Sequence, residues 1–376
     1  MALRHWLQLS LTDGIGPILG RRLVEAAGNV EAACAADGKL LREIGAKSSK
    51  ILPSLREAES AAEAEMKRAA EAGARIICSD DREYPDLLKS IPDPPLVLYV
   101  KGSIEPRDLN GVAIVGSRRC SYYGREQSER FAALLAGAGF TVISGGARGV
   151  DSAAHRGAIS HLQGRTIAVL GCGINIAYPP ENAALFEQIA ARGAVLSEYP
   201  IDAPPAAENF PRRNRIVSGM SRGVLVIEGD ERSGALITAR QACDDHGRPV
   251  FALPGRVDNK MSIGPHLLIR DGATLVTGLA DIIDSLGPLP TQAMESTPTE
   301  AKPEIAAPIP TINLTDQQKL ILSHLGSEAA GVDQIMELSG LDAPVVMSEL
   351  TLLCLKGAVR RVDGQTFALP TTRSAR

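Results

Sequence analysis

The sequence predicts an α/β protein with an extended Rossmann-like, doubly wound and mostly parallel sheet, preceded by a small helical domain and followed by a winged helix. Short β-branched runs alternate with amphipathic stretches from about residue 75 to 287, whereas the earlier residues show helical patterns only. A proline-rich segment at 288–312 separates a last group of helical patterns. Strands that are apolar throughout are buried on both faces, which requires a parallel sheet covered by helices.

The N-terminal region, residues 1–72, is predicted to form a domain of short helices. Gly14-Ile15-Gly16 precedes a helical stretch with Pro17 in its first turn, and a weaker copy of this pattern follows at 41–52. Such turns are typical of a helix-hairpin-helix or SAM-like unit, whose glycine turn points backbone N–H groups at a phosphate. Because the motif is short, the sequence favours the alternative that the turns only pack a small helical bundle.

The central region, residues 73–287, contains the strands of the predicted sheet. The clearest runs lie at 111–117, 141–146, 166–173, 194–199, 223–229, 249–255 and 273–278. Runs at 75–80 and 94–102 are expected to add flanking strands. Right-handed crossovers through the intervening helices then give a Rossmann-like sheet.

The C-terminal region begins with the predicted linker at 288–312, which is rich in proline and poor in large apolar residues. Residues 313–370 contain three helical stretches and then a hairpin signal at Asp363-Gly364, a pattern that predicts a winged helix. The third helix, where a base-reading helix would carry arginine or asparagine, offers only Lys356 and Glu349. We therefore expect this domain to contact protein rather than to read duplex DNA.

The composition excludes several classes of protein. The formal net charge is −4 and aromatic residues make up 3% of the chain, so a nucleic-acid site must be a local patch with few stacking platforms. No apolar stretch approaches the ~20 residues that span a bilayer. The six cysteines form no CxxC pair, which argues against a zinc site or a disulfide framework and suits a reducing cytoplasm.

Glycine and arginine gather in the loops that follow the predicted strands. In an open α/β sheet, ligands bind beyond the carboxyl ends of the strands. Glycine lets the backbone approach an anion, and arginine offers a two-pronged donor to phosphate. The predicted nucleic-acid-binding residues are Ser117, Arg118, Arg119, Gly145, Gly146, Arg148, Arg212, Arg213, Asn214 and Arg215, and a third loop contributes Gly171-Cys172-Gly173.

Four neighbouring residues have two interpretations each. We expect Asp151 to cap the helix that it opens rather than to act in catalysis. His155, one turn later, is expected to pack behind the glycine loop. Tyr122 and Tyr123 can equally stack on a base or pack at a helix start.

Other ligand classes lack their motifs. The sequence contains no GxxxxGK[ST], no GxGxxG after the first strand and no HExxH, which argues against a P-loop ATPase, a dinucleotide site and a metal hydrolase. We expect no cofactor and no metal.

The ordered motifs GSR, SGGARGVDSAAH, GCGINIAYPPEN, SEYP, FPRRNRIVSG, SGALITARQA and VFALPGRVDNKMSIGPHLLIRDGA resemble the DNA-processing protein A (DprA/Smf) family. The resemblance implies single-stranded DNA binding, a homodimer through the Rossmann-like domain, and transfer of the strand to the RecA recombinase in natural transformation. It places DNA contacts on Arg118, Gly145, Gly146, Arg148 and residues 212–215. Family members often carry lysine where this chain has Pro180, so Arg148 or Arg119 is expected to replace that contact.

Two other functions compete with a non-enzymatic DNA-binding protein. A nucleotide phosphoribohydrolase would use Glu198 and Glu228 at strand ends, but its PGGxGTxxE signature is absent. The sequence predicts that Glu198 pairs with Arg213 or Arg215, and that Glu228 lies in a solvated surface turn. The remaining alternative is a scaffold whose arginine loops bind an acidic protein surface.

Overall fold

The computed structural model describes residues 2–287, 314–325, 330–356, 358–363 and 366–368. The chain forms two compact units, Met1–Gly287 and Pro288–Arg376. The predicted linker at 288–312 lies outside the described residues, and the predicted domain boundaries stay predictions. The predicted fold class is confirmed, because the first unit contains a mostly parallel α/β sheet and the second contains three helices with a small antiparallel sheet.

Within residues 2–71 the chain is helical, as the sequence predicts. The helices are α1 (Ala2–Leu11), α2 (Pro17–Ala27), α3 (Val30–Cys34), α4 (Gly38–Glu43) and α5 (Ser48–Glu71). Pro17 begins α2, where its missing N–H costs no helical hydrogen bond. Gly14 and Gly45 adopt positive φ angles of 85° and 78° in the turns between these helices.

Nine strands form one sheet in the described part of the first unit. They are β1 (Arg75–Cys78), β2 (Val97–Gly102), β3 (Gly111–Val115), β4 (Thr141–Ser144), β5 (Arg165–Val169), β6 (Ala194–Ser197), β7 (Gly223–Val226), β8 (Val250–Ala252) and β9 (Thr274–Leu275). The spatial order is β1-β2-β6-β5-β4-β3-β7-β8-β9. Strands β3 to β9 run parallel, whereas β2 runs antiparallel to both β1 and β6. The order reverses between β3 and β7, which makes this pair the switch point of the sheet.

Helices join these strands and cover both faces of the sheet. They are α6 (Asp86–Lys89), α7 (Tyr122–Gly137), α8 (Val150–Ser160), α9 (Ala183–Arg192), α10 (Asn209–Gly219), α11 (Gly234–Arg240), α12 (Ile263–Arg270) and α13 (Leu279–Leu286). Neighbouring residues of β6 show the two faces: Val195 packs in the hydrophobic cluster that contains α9, and Leu196 packs in the cluster that contains α10. Both residues are buried, as expected for strands that are apolar throughout.

The N-terminal helices share a hydrophobic cluster with one face of the sheet. Trp6 and Leu55 belong to the same cluster as Phe186 of α9. Glu65 on α5 is buried, and its carboxylate accepts hydrogen bonds from the Tyr99 hydroxyl (2.9 Å) and the Ile201 N–H (2.6 Å). The helices before the sheet therefore pack directly on it.

The second unit contains the helices and the hairpin that the sequence predicts for a winged helix. Its elements are α14 (Asp316–His324), β10 (Ala330–Gly331), α15 (Val332–Ser339), α16 (Ala343–Leu355), β11 (Arg360–Asp363) and β12 (Thr366–Ala368). Strands β11 and β12 pair antiparallel, which confirms the predicted hairpin, although Gly364 lies outside the described residues. Ile335, Leu350 and Phe367 lie in the core of this unit.

Candidate functional site

A crevice of about 830 Å³ lies at the carboxyl ends of β3 and β7, the switch point of the sheet. One wall is the loop after β3, with Ser117, Arg118 and Arg119, and the opposite wall contains residues 230–238 with Lys260 and Met261. The glycine loop after β4 and the start of α10 complete it. This is where open α/β sheets bind their ligands, and we call it the switch-point crevice.

The predicted convergence of the glycine and arginine loops is present. Gly116 and Gly145 both line the crevice, and a Cβ at Gly145 would overlap the Arg213 guanidinium. Gly146 has a φ of 66°, in the left-handed region that glycine tolerates. Gly171 allows the Phe210 ring to pack closely against the third loop, because a Cβ at Gly171 would lie 2.8 Å from Cδ1 of Phe210. The third loop therefore contributes to the site by leaving space for the Phe210 ring.

Arg118 forms the exposed rim of the crevice. Its guanidinium lies over the Phe210 ring, with Cζ 4.9 Å from the ring centroid. Phe210 in turn contacts Tyr178, with ring centroids 5.5 Å apart. Arg118 forms no salt bridge with the described part of the chain, so its charge is available to a ligand.

Phe210 and Tyr178 are site residues that the sequence analysis missed. Both lie within motifs of the resemblance, GCGINIAYPPEN and FPRRNRIVSG, in which the prediction rests on glycine in the first and on arginine and asparagine in the second. The signal that could have identified them is the low aromatic content, because few rings are available to stack on bases.

Arg213 lines the crevice from beneath, as a buried side chain, and does not form part of its exposed rim. Its side chain is buried beneath the glycine loop, where one terminal nitrogen, Nη1, donates to the carbonyl oxygens of Gly145 and Val169. Burial lowers the pKa of Arg213, an effect that the nearby Asp151 carboxylate opposes. Its burial could not be predicted, because helical sequence alone does not reveal which arginine points inward, and its contact with DNA stays a prediction. Arg213 holds the second and third loops together.

Arg215, in contrast, does not line the switch-point crevice. Its guanidinium is buried and pairs with Glu198 (2.7 Å) and with Asp93 (2.9 Å). This confirms the expectation that Glu198 pairs with a nearby arginine. The carboxylate of Glu198 and the charge of Arg215 are both engaged in shaping the loop.

Asp151 and His155 lie behind the glycine loop. The Asp151 carboxylate accepts a hydrogen bond from the Ala147 N–H (3.3 Å), so it ties this loop to the first turn of α8. Burial raises the pKa of Asp151 despite the opposing charge of Arg213. His155 is fully buried, and its Nδ1 lies 2.7 Å from the Thr166 hydroxyl oxygen. The buried position of His155 agrees with the expected packing behind the glycine loop. Asp151 does not cap α8 as expected, because it is the second residue of that helix and its carboxylate turns back to the Ala147 N–H, and no side chain caps the helix start at Gly149.

The remaining predicted contact residues differ in their position around the crevice and in whether they are paired. Arg119 lines its exposed edge, and Asn214 lines its wall. Arg212 is exposed but lines an adjoining cavity of about 580 Å³, next to Gly16 and Pro17 of the N-terminal region. Arg148 is exposed and paired with Glu181. A phosphate contact by Arg148 would therefore have to compete with that carboxylate.

Glu228 is buried, contrary to the prediction of a solvated surface turn. Its carboxylate accepts hydrogen bonds from the N–H (2.7 Å) and the hydroxyl (2.6 Å) of Ser121, and from the Asn259 side chain (3.3 Å). The Ser121 hydroxyl also accepts from the Gly124 N–H (3.1 Å) and so caps α7. Glu228 thus fixes the arginine loop and the start of α7 on the end of β7.

The two tyrosines at the start of α7 differ in their surroundings. The Tyr123 hydroxyl donates to the carbonyl of Pro254 (3.1 Å). Tyr122 is 80% exposed and makes no hydrogen bond with the part of the chain that the structure describes.

The polar residues of the third winged-helix stretch are engaged within the domain. Gln318, itself buried, donates to Glu349 (2.7 Å) and accepts from the Lys356 ammonium (2.7 Å). Two of the polar side chains on and after α16 thus bind α14.

In the described ranges, no group of three or more His, Cys, Asp or Glu side chains is placed to hold a metal ion. Over the same ranges, none of the helices combines the length and the apolar character needed to cross a bilayer.

Comparison with known proteins identifies similar sequences and a similar structure. The family model for "DNA recombination-mediator protein A" matches residues 75–287, and the model for "DprA winged helix domain" matches residues 305–365. Protein Smf of Escherichia coli is 40% identical over 294 residues, which cover 77% of this chain and 76% of that protein. Protein Smf of Synechocystis is 34% identical, over 96% of this chain and 98% of that protein.

A solved structure shares the fold over most of the chain. The X-ray structure of DNA processing protein A from Streptococcus pneumoniae superimposes with a TM-score of 0.67 at 33% sequence identity. The match covers 76% of this chain and 98% of that chain.

Proposed function

The chain belongs to the DNA recombination-mediator protein A (DprA) family, and from that premise we propose that its switch-point crevice binds single-stranded DNA. The observation that carries this proposal is the stack of Arg118 on Phe210 at the rim. It presents a positive charge and a planar surface at one place. Phosphate and base are the two parts of a nucleotide that such a pair recognises.

The geometry supports a single strand rather than a duplex. The Arg118 guanidinium lies over the Phe210 ring, with Cζ 4.9 Å from its centroid, so a nucleobase at this rim would meet both a positive charge and planar groups. A base can reach that surface only when it is unpaired from a partner strand and unstacked from its neighbours. The glycine loop and Arg119 line the same crevice and suit the phosphates that follow.

The experiment is a binding titration of the full chain with an oligothymidine and with a duplex of equal length, at several salt concentrations. We expect tighter binding of the single strand, little dependence on base sequence and a clear loss of affinity with salt, because each arginine contact releases counterions. Arg118→Ala should weaken binding and reduce the log–log salt slope by about 0.7.

Arg107→Ala is the matched control. Arg107 is a half-exposed arginine that precedes β3. It therefore lies near the amino ends of the parallel strands, whereas the crevice lies at their carboxyl ends. Equal losses in the two variants, or equal affinity for duplex and single strand, would contradict the proposed site.

We propose that the protein performs no covalent chemistry. The two carboxylates that a phosphoribohydrolase would need are already engaged, Glu198 by Arg215 and Glu228 by Ser121. We expect no release of base from nucleoside monophosphates and no cleavage of single-stranded DNA, with or without magnesium. Multiple-turnover hydrolysis that disappears in Glu198→Gln would overturn this proposal.

The transfer of the bound strand to RecA in the cytoplasm rests on the family membership and is likewise a proposal. We expect the protein to accelerate RecA filament formation on single strands that are coated with a single-strand-binding protein. The readout is RecA-dependent strand exchange, in which Arg118→Ala should remove the acceleration. An acceleration that Arg118→Ala leaves intact would separate this activity from the crevice.

A further inference from the structure

The surface around Tyr122 has no role in the crevice described above. Tyr122 is 80% exposed, and Val257 in the segment that follows β8 is 92% exposed. Among the described aromatic side chains, Tyr122 and Tyr123 are the two exposed ones, and Tyr123 is engaged with Pro254. The exposed Tyr122 ring buries little surface within the fold, so its face is available to a ligand.

The ring lies next to the rim of the switch-point crevice. Arg119 lines the crevice and precedes Tyr122 by three residues, and Lys260 lines the wall across from it. Even a fully extended chain would place the Cα atoms of Arg118 and Tyr122 at most about 14 Å apart. Stacked nucleotides follow one another at about 3.4 Å, so a strand that leaves the crevice over Arg119 reaches Tyr122 within a few nucleotides.

The backbone beneath the ring is held rigidly. Ser121 is bonded through both its N–H and its hydroxyl to the buried Glu228 carboxylate, and it caps the helix that Tyr122 opens. Asn259 bonds the same carboxylate and fixes the neighbouring segment. A surface that is ordered before binding loses less conformational entropy when a ligand arrives.

The charge around the ring favours a polyanion. Arg119 is exposed and forms no salt bridge with the described part of the chain, and Lys260 is exposed on the other side. An aromatic face beside unpaired cations is the combination that binds single strands without sequence preference.

We propose that Tyr122 is a second base-stacking site, on which a nucleobase of the strand leaving the switch-point crevice rests. This inference depends on the proposed single-strand binding and extends it beyond the crevice. Glu228 acts in it as a positioning residue, since it fixes Ser121 beneath the ring.

The test compares two ligands of equal charge: a twelve-nucleotide oligothymidine, and the same backbone in which the bases outside a central tetranucleotide are abasic. Stacking on one aromatic residue contributes roughly five- to hundred-fold in affinity. Tyr122→Ala should weaken the full oligothymidine at least five-fold with an unchanged salt slope, and should have little effect on the abasic ligand. Tyr122→Phe should bind like the wild type, because the ring face is retained.

Two further variants separate this site from the others. Leu162→Ala removes another highly exposed side chain, which precedes β5 and so lies near the amino ends of the strands. It should leave the affinity for both ligands unchanged. Arg118→Ala should weaken both ligands and reduce the salt slope. If Arg118→Ala behaves in this way while Tyr122→Ala binds both ligands like the wild type, the second stacking site is wrong and the crevice stands. If the wild type binds neither ligand, both proposals fail.

A covalent readout completes the test. Oligothymidine with single 5-bromouracil substitutions, irradiated in complex with the full chain, should cross-link to Tyr122 at one or two positions outside the central tetranucleotide. If Tyr122→Ala instead leaves DNA binding intact and changes the sedimentation coefficient of the protein alone, the exposed ring belongs to a protein contact and the inference is overturned.

Discussion

Burial divides the arginines of the site into two groups with different roles. Arg118 and Arg119 are exposed on the crevice rim, whereas Arg213 and Arg215 are buried and bonded to the protein itself. A rim arginine exchanges water for phosphate when DNA binds, and a buried one stabilises the loops. Substitutions in the two groups should therefore affect different measurements.

Arg213→Ala should destabilise the fold. It leaves the Asp151 carboxylate without its nearest opposing charge and two backbone carbonyls without their donor. Breaking a buried charged network costs about 3 kcal/mol, whereas an exposed arginine such as Arg118 should cost less than about 0.5 kcal/mol. Denaturant unfolding of both variants checks this. Equal unfolding free energies would show that Arg213 does not support the loops.

His155 should make the fold sensitive to mild acid. The Thr166 hydroxyl donates to the Val142 carbonyl (2.7 Å) and therefore accepts from His155 Nδ1–H, whereas it is burial that disfavours the charged ring. Burial, with Arg213 and Arg156 nearby, lowers the pKa of His155 to about 3. Its folded pKa lies below the unfolded value of about 6.5. The contribution of neutral His155 to the free energy of unfolding is therefore complete above pH 6.5 and is lost as the pH falls toward 3.

The expected loss from His155 is about 2 kcal/mol between pH 6.5 and pH 5. His155→Asn keeps a donor for Thr166 but does not titrate. Its unfolding free energy should therefore fall less over that range than that of the wild type. Parallel pH profiles for the two proteins would contradict the assignment. Asp151 acts in the opposite direction, because its raised pKa favours the folded state as acid protonates it.

At the scale of elements, we keep the prediction that the third winged-helix stretch does not read duplex DNA. Helix α16 carries mostly apolar residues, and Glu349 together with the following Lys356 is bonded to Gln318 of α14. A base-reading helix would present amide or guanidinium groups to a groove. The described part of α16 presents none.

Truncation after Gly287 should leave single-strand affinity almost unchanged. Residues 2–287 contain the whole crevice, and the first compact unit ends at Gly287. We expect the dissociation constant of the truncated protein for oligothymidine to lie within about two-fold of the full chain. A ten-fold loss in the same titration would mean that the second unit contributes DNA contacts of its own.

At the scale of the whole molecule, the edge of the sheet at β9 is a candidate dimer surface. Strand β9 has both residues exposed, with Leu275 46% exposed, and Ile263 at the start of α12 is 37% exposed. Edge strands and apolar patches that remain open are typical of association surfaces. The family resemblance also implies a dimer through this domain.

We expect a two-fold dimer in sedimentation at micromolar concentration. Leu268→Arg, on α12, should shift it toward monomer. Because Leu268 also packs against the core, Ile263→Arg is the second variant, which alters the exposed surface alone. Leu162→Arg is the control, because Leu162 is an exposed residue that precedes β5, which four strands separate from β9. A wild-type monomer, or a dimer that survives both α12 variants, would place the interface elsewhere or remove it.

The sequence by itself determined the architecture and the general location of the site. Strand runs apolar on both faces require a parallel sheet between helices, and this pattern is local to each run. The strand pattern also determined where the loops lie, because the carboxyl ends of parallel strands meet on one side of the sheet. For this reason Ser117, Arg118, Arg119 and Gly145 were correctly brought to one crevice.

Only the tertiary structure decided which polar side chains face the ligand. Arg212, Arg213 and Arg215 are neighbours in the chain, yet one is exposed and two are buried, because a helix turns each successive residue by about 100°. Glu228 is buried because Ser121, distant in sequence, supplies two donors to its carboxylate. Such partners come from other elements, and a charged group can be buried only where they satisfy it, so no local pattern reveals them.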